Sequence, residues 1–219
     1  KACANMGAVD MGQQIHGEVT SNGFLVKHVA IGSALVDMYA RCGALCKAHQ
    51  LLEDELRVSD VISWNALISA YVHHGQVGKA LCCFTQMQMK GISPDTITFA
   101  FVLKAYGSVG RIDRGKQTHT ELVTKGWSHG KCIILGTALV DMYARCGALL
   151  EAQKVLDKLP ARDSVSWNAL ISGYALQGIE RNVYHCFGQM QNEGFLADVI
   201  TFTCILNACA SMRAINKGE

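Results

Sequence analysis

The sequence predicts an all-α fold, an α-solenoid of stacked helix-turn-helix repeats. Long stretches recur almost literally within its 219 residues. Residues 32–45 read GSALVDMYARCGAL and residues 136–149 read GTALVDMYARCGAL. SWNALISAY at 63–71 returns as SWNALISGY at 166–174, and every such offset is 103 or 104. A shorter period lies inside the long one. The residues at the front of successive first helices are Ser33, Asn65, Ala100, Thr137, Asn168 and Thr203, in steps of 32, 35, 37, 31 and 35. Self-similarity at such a period is the signature of a repeat array. No segment alternates polar and apolar residues over a strand length with turn residues at both ends.

Taken in order, the elements justify that reading. KACANMGAVDMGQQIHGEV (1–19) matches KAYGSVGRIDRGKQTHTEL (104–122) loosely and belongs to an incomplete first unit. In the GSALVDMYARCGAL segment, Gly43 separates the two helices of the next unit. The unit opening at Val61 sets Trp64, Leu67, Ile68 and Tyr71 at helical spacing. His73-His74-Gly75 ends that helix, with Gly in the usual place past its end. A second helix runs from Lys79-Ala80-Leu81 through Met87, Lys90-Gly91 closes it, and Pro94 stops any continuation. TITFAFVLKA (96–105) opens the following unit, with Gly110 between its helices, and returns as VITFTCILNA at 199–208. Gly147 divides the next unit, and SWNALISGY opens the last complete one. Trp64 and Trp167, with Met38, Met87, Met142 and Met190, fall at core positions by spacing. A lone hairpin cannot bury its apolar face, so stacked neighbours supply the core.

Composition narrows the function classes. Half of the chain is apolar and 17% is charged, far from a disordered composition. No apolar run approaches the ~20 residues a membrane helix needs. Lys1 enters mid-helix and Glu219 stops mid-pattern, without initiator Met, signal or transit peptide, so a slice of a longer protein is expected. Such a slice exposes apolar ends, and end-to-end self-association is expected of it. The net charge of +2 is a weak pointer to nucleic acid, for which charge position matters more than the sum. Ten cysteines occur without a C-x-x-C pair, so the usual zinc half-site is missing. Cys42, Cys82, Cys83, Cys146, Cys186 and Cys209 lie in the predicted helices or at their ends. They read as small buried hydrophobes in a reducing compartment.

The cycle of 31–32, 35 and 37 residues, the S-W-N-A-L-I-S-x-Y and G-x-A-L-V-D-M-Y-A-R-C-G-A-L helices and the G-K-Q-x-H segment resemble pentatricopeptide repeat proteins of the plant PLS subclass. The resemblance spans the chain. It implies a right-handed superhelix with S-type units at 29–60 and 133–163, P-type units at 61–95 and 164–198, and an L-type unit at 96–132. Incomplete L-type units then occupy 1–28 and 199–219. Two departures stand out: a small insertion at 126–132 (GWSHGKC), and Ala197 where the family has Pro before Asp198.

The resemblance further implies single-stranded RNA as the partner, read one base per repeat by a residue near the front of the first helix together with the last residue of the unit. Carried over, the pairs are Ser33 with Asp60, Asn65 with Asp95, Thr137 with Asp163, and Asn168 with Asp198. In the family, Asn with Asp favours uridine, and Ser or Thr with Asp favours guanosine. An Asn amide offers donor and acceptor to a base edge, whereas a hydroxyl is smaller and leaves room for a purine. The L-type unit, with Ala100 and a last residue near Cys132, has no polar reader. The implied target is 5′-G-U-N-G-U-3′. Ala30, Ile62, Ile134 and Val165, three residues before the readers, are the implied base-sandwiching residues. Arg41 and Arg145 are the implied phosphate contacts, with His73 and Leu176 in the matching places of the P-type units. No cofactor is implied. The wider role is specifying a site for organellar RNA processing, such as C-to-U editing, in mitochondrion or chloroplast, with processing factors as further partners.

Plainer readings stand beside these. Asn65 and Asn168, and likewise the four Asp residues, also suit helix caps. Arg41 and Arg145 near helix C-termini also suit the macrodipole. A tetratricopeptide-like protein-interaction scaffold is the alternative function, but its steady 34-residue period and W-x-x-L-G-x-x-Y pattern are missing. His16-Gly17-Glu18 and His119-Thr120-Glu121 spell the first half of a zinc-deaminase signature without its P-C-x-x-C half. No nucleophile elbow or P-loop occurs, so no enzymatic activity is expected of this chain itself.

Overall fold

A computed structural model describes residues 9–55, 60–127 and 132–215. The expected helix entry at Lys1, the stop at Glu219 and residues 128–131 of the insertion lie outside the described residues. The described elements are helical, and the chain divides into two compact units, residues 1–105 and 106–219.

The first unit begins with α1 (Val9–Ser21) and the single turn α2 (Phe24–Lys27). It continues with α3 (Val29–Arg41), α4 (Leu45–Gln50), α5 (Val61–His73), α6 (Val77–Met89) and most of α7 (Thr96–Ser108). After α4 the chain passes directly into a π-helical segment, Leu51–Glu55, where the repeat pattern alone predicts an ordinary helix. First helices pack on first helices, as α3 does on α5, while each second helix packs behind its partner, as α6 does on α5. The second unit repeats the layout with α8 (Ile112–Thr124), α9 (Ile133–Arg145), α10 (Leu149–Lys158), α11 (Ser164–Leu176), α12 (Glu180–Asn192) and α13 (Val199–Ile215). There α9 packs on α10 and α11, and α11 on α12 and α13.

One turn recurs at the end of the first helices. Tyr71 lies two residues before the end of α5, and its carbonyl accepts from the Gln76 N–H at 2.9 Å. The Gly75 N–H donates to the Val72 carbonyl at 3.1 Å, with Gly75 at φ 69°. This is the Schellman arrangement, which occupies carbonyls orphaned by the helix end and needs a left-handed residue. Tyr39, Tyr106, Tyr143 and Tyr174 close the same turn in their units. The Y-x-x-x-G spacing therefore sets the geometry by which each first helix hands over to its second.

The core lies between the helices of each unit. Trp64, Trp167, Leu67, Leu139, Met87 and Met142 are essentially inaccessible to solvent, and Met38 and Met190 are buried with them. A cation sits over both of these Trp rings: Lys90 Nζ is 5.4 Å from the Trp64 ring centre, and the Arg162 guanidinium 5.6 Å from that of Trp167. The cysteines depart from expectation. Only Cys83 and Cys186 are buried among the described ones, whereas Cys46, Cys82 and Cys209 are exposed and Cys42, Cys132, Cys146 and Cys204 half-buried. A helix surface runs through 360°, and repeat period alone does not tell which cysteines face inward. No disulfide joins the described cysteines, and no group of three or more metal-ligating side chains occurs among the described residues. No described helix is long and apolar enough to cross a membrane.

Two glycines separate backbone strain from packing. A Cβ at Gly75 would meet open space, so Gly75→Ala tests only the left-handed backbone. It should lower stability by about 1–2 kcal/mol in urea unfolding. Gly188, mid-helix in α12, is equally open but has an ordinary helical backbone. Gly188→Ala should raise stability by about 1 kcal/mol.

Candidate functional site

A first helix leaves its leading N–H groups without intrahelical partners, and an Asp just before it satisfies one of them. Asp60 is the N-cap of α5, its Oδ1 accepting from the Ser63 N–H at 2.8 Å. Asp163 does the same for α11 through the Ser166 N–H at 2.8 Å, and the Ser166 hydroxyl accepts from the Asp163 N–H at 3.1 Å, completing a capping box. Asp95 and Asp198 accept from the Thr98 and Thr201 N–H groups at 2.8 and 3.0 Å. All four carboxylates thus cap the helix that follows them, as the plainer reading holds.

They also reach back to the previous unit. The Asn65 Nδ2 donates to Asp95 at 3.0 Å, and the Asn168 Nδ2 donates to Asp198 at 2.8 Å. Ser33 Oγ lies 3.1 Å from both Asp60 oxygens, and Thr137 Oγ1 lies 3.5 Å from Asp163. All four sequence-predicted pairs are therefore brought together, across 26 to 30 residues of chain. Asn65 and Asn168 cap nothing: each is the fifth residue of its helix, α5 or α11, and the cap belongs to Asp60 or Asp163.

A third member of each cluster escapes pair-based reading. Ser63, Thr98, Ser166 and Thr201 stand three residues after the four Asp residues, and all four are fully buried. The Thr98 hydroxyl donates to Asn65 Oδ1 at 2.6 Å, and the Thr201 hydroxyl to Asn168 Oδ1 at 2.6 Å. Ser63 Oγ lies 2.9 Å from Ser33 Oγ and 2.7 Å from Asp60 Oδ1. The D-x-x-[ST] spacing was the available signal, since it marks a cap whose third residue turns inward.

Three of the wedge positions are exposed despite apolar side chains: Ile62 by 65%, Ile134 by 51% and Val165 by 60%. Ala30 is exposed as well. Ile97 and Ile200 occupy the same register before Ala100 and Thr203 and are likewise exposed, so the register is exposed in two further repeats. Arg41 and Arg145 end α3 and α9, half exposed, and each turns onto an Asp one helical turn back. Arg145 Nε reaches both Asp141 oxygens at 2.8 and 2.9 Å, while Arg41 lies 3.7 Å from Asp37. His73 is exposed and donates through Nδ1 to the Ser69 carbonyl at 2.7 Å. Leu176 is exposed in the matching place of α11. The two H-x-E histidines belong elsewhere: His16 shares a hydrogen bond with the Tyr39 hydroxyl at 3.1 Å, and His119 with that of Tyr143 at 3.0 Å.

Hydrogen bonding governs the charge of these clusters. Burial pushes the Asp60 and Asp95 carboxyls up. For Asp60 the donors Ser63 and Ser33 outweigh it, and for Asp95 the donors Thr98 and Asn65, so both titrate below the ordinary Asp value. Asp198 is lowered chiefly by the Thr201 N–H. A carboxyl lowered in the folded state stabilises the fold above its unfolded pKa of about 3.9. That contribution is lost as pH falls through the folded value. Melting temperature should therefore hold between about pH 7 and 5 and decline below about pH 4, and Asp95→Asn should show a smaller acid decline than the parent protein.

Known proteins bear on the same residues. A family model described as PPR repeat family matches residues 59–108 and 162–211, and one described as PPR repeat matches residues 137–163. A chloroplastic pentatricopeptide repeat-containing protein of Arabidopsis thaliana is 35% identical over 100% of this chain and 29% of its own length. Another from the same plant is 36% identical over 99% of this chain and 29% of its own length, and one named as mitochondrial is 32% identical over 99% and 34%. The chain thus spans about a third or less of these relatives. In fold it resembles the pentatricopeptide repeat protein PPR10, solved in complex with an 18-nt psaJ RNA element. The TM-score is 0.74 at 21% identity, covering 94% of this chain and 30% of that one. It also resembles the PPR domain of A. thaliana protein-only RNase P 1, solved in complex with tRNA, at TM-score 0.62 and 12% identity over 83% of this chain and 98% of that one. Repeat sequence and all-α solenoid fold agree: the chain belongs to the pentatricopeptide repeat family.

Proposed function

We propose that this chain binds single-stranded RNA, one base per repeat, through the pairs Ser33–Asp60, Asn65–Asp95, Thr137–Asp163 and Asn168–Asp198. The observation that carries the proposal is the construction of those pairs. Each reader is held by a carboxylate that already caps the next helix, so its free hydrogen-bonding capacity is pre-oriented. Exposed apolar residues stand one helical turn before them, where flat bases would be gripped without regard to sequence. The RNA complexes of PPR10 and of the RNase P 1 PPR domain support the choice of ligand.

Arg41 and Arg145 would meet phosphates once they exchange their Asp37 and Asp141 partners for the ligand. Binding should then weaken with salt. The target is 5′-G-U-N-G-U-3′, with N at Ala100. As part of a longer PLS-type protein, the chain would specify a site for organellar RNA processing such as C-to-U editing. The chemistry would reside in another region or a partner. Relatives named as chloroplastic and mitochondrial support that compartment.

Four reading repeats, at roughly 1–3 kcal/mol per well-recognised base, offset by the entropy of ordering a flexible strand, predict weak but selective binding. Fluorescence anisotropy should show the pentamer bound more tightly than one with every G and U exchanged. Asn65→Thr should move preference at the second position from U toward G while the circular dichroism melt stays in place. Equal affinities for the two pentamers, or peptide binding without RNA binding, would sink the reading in favour of a protein scaffold.

A further inference from the structure

Eight places after the glycine that ends each first-helix turn, the second helices keep a buried residue. Leu51, Cys83, Thr118, Val155 and Cys186 hold that register, and all five are buried. Ile15 holds it in α1 and is 43% exposed. First helices keep two such places, one before and three after the front residue. Trp64 and Ile68, Phe99 and Leu103, and Trp167 and Ile171 fill them and are buried. In α13 they hold Phe202, 53% exposed, and Leu206, 66% exposed.

Pairing accounts for the difference. α5 packs on α6, α9 on α10 and α11 on α12, so each of these first helices is covered by the second helix of its own unit. Among the described residues, no first helix precedes α1 and no second helix follows α13. Each end therefore shows the face that a helix like the other end's would cover. The second helix of the preceding unit takes part as well. Cys83 of α6, at the Ile15 register, lies 3.7 Å through Sγ from His49 Nδ1 of α4. Tyr184 of α12 stands at the His49 register and is 36% exposed. Its hydroxyl lies 2.8 Å from Cys209 Sγ of α13, which ties it to the same end.

We infer that these two faces form one interface between copies of this chain: α1 of a second copy docks on α13 and serves as its second helix. Ile15 of that copy would meet Phe202, Leu206 and Tyr184. The occupant follows from the chain's own packing. The joint repeats the contact that α5 makes with α6 and α11 with α12, and it removes apolar surface from water on both sides. It is a heterologous contact, since each copy uses two different surfaces, so one copy can be joined at both ends. None of the four reader pairs takes part, so the association stands apart from base reading and needs no RNA.

Sedimentation velocity on the 219-residue protein without RNA tests this. The parent protein should associate with rising concentration and grow beyond the dimer. Ile15→Glu and Leu206→Glu each put a charge into the joint and should each weaken association by about tenfold or more. Both side chains are exposed in the single copy, so circular dichroism melts should stay in place. Phe202→Glu serves if Leu206→Glu fails to fold, and Ile15→Gln if Ile15→Glu does. Mixing the two variants is the decisive step, because each keeps the face that the other has lost. At a concentration where each alone is monomeric, the mixture should form a heterodimer that grows no further. A parent protein that stays monomeric overturns the inference, as do two variants that associate like the parent. Association lost with Leu206→Glu but kept with Ile15→Glu marks a symmetric α13 contact and overturns it too.

Discussion

A carboxylate placed just before a helix faces donors that have no partner within that helix. Asp95 and Asp198 exploit this twice over. Asp95 Oδ1 accepts the Thr98 N–H at 2.8 Å and the Asn65 amide at 3.0 Å, so a single side chain starts one helix and orients a residue of the one before. The consequence is a fixed register between consecutive first helices. Helix start, neighbour packing and the orientation of the Asn side chain cannot vary independently, because one carboxylate serves all three. Hydrogen bonds to an ionised acceptor are among the stronger ones available, and their number holds Asp60, Asp95 and Asp198 in the charged form.

Around this constraint the remaining surface divides by chemistry. Apolar Ile62, Ile134 and Val165 stay in solvent although the fold has buried core positions available nearby. Their exposure follows from the helix itself: they sit on the side of each first helix turned away from the core, whereas Ser33 and Asn168, about one turn further on, are buried. Arginines at the helix ends are not idle charges either. Arg145 is held by Asp141 and Arg41 by Asp37, which keeps each cation near its helix terminus and lowers the field it presents. An exposed pair of this type contributes little to stability, and its partner is readily exchanged.

The histidine–tyrosine contacts serve a structural end. His16, His49 and His119 each share a hydrogen bond with the tyrosine whose carbonyl closes the turn of a neighbouring first helix. The tyrosine thereby links a second helix to the next first helix through its hydroxyl, and terminates its own helix through its backbone. Tyr174 has Gln153 in α10 at the place His49 holds for Tyr71.

Much of this was legible in the sequence, and the reason is locality. Helix starts, glycine turns and caps depend on residues within five positions of each other, so near-literal repetition exposes them, whereas the four Asp pairs, 26 to 30 residues apart, came only with the family resemblance. Other features belong to the tertiary structure. Which third residue meets the Asn amide depends on a contact between residues 33 positions apart. The dual duty of each Asp was hidden because capping and pairing looked like rival explanations, whereas a carboxylate has acceptor sites enough for both. Exposure of Cys46, Cys82 and Cys209, the partners of Arg41 and Arg145, and the π-helical turn at Leu51–Glu55 likewise depend on the direction a side chain or carbonyl takes around the helix axis. Repeat period sets where the helices lie; the packing of one against the next decides which way each residue faces.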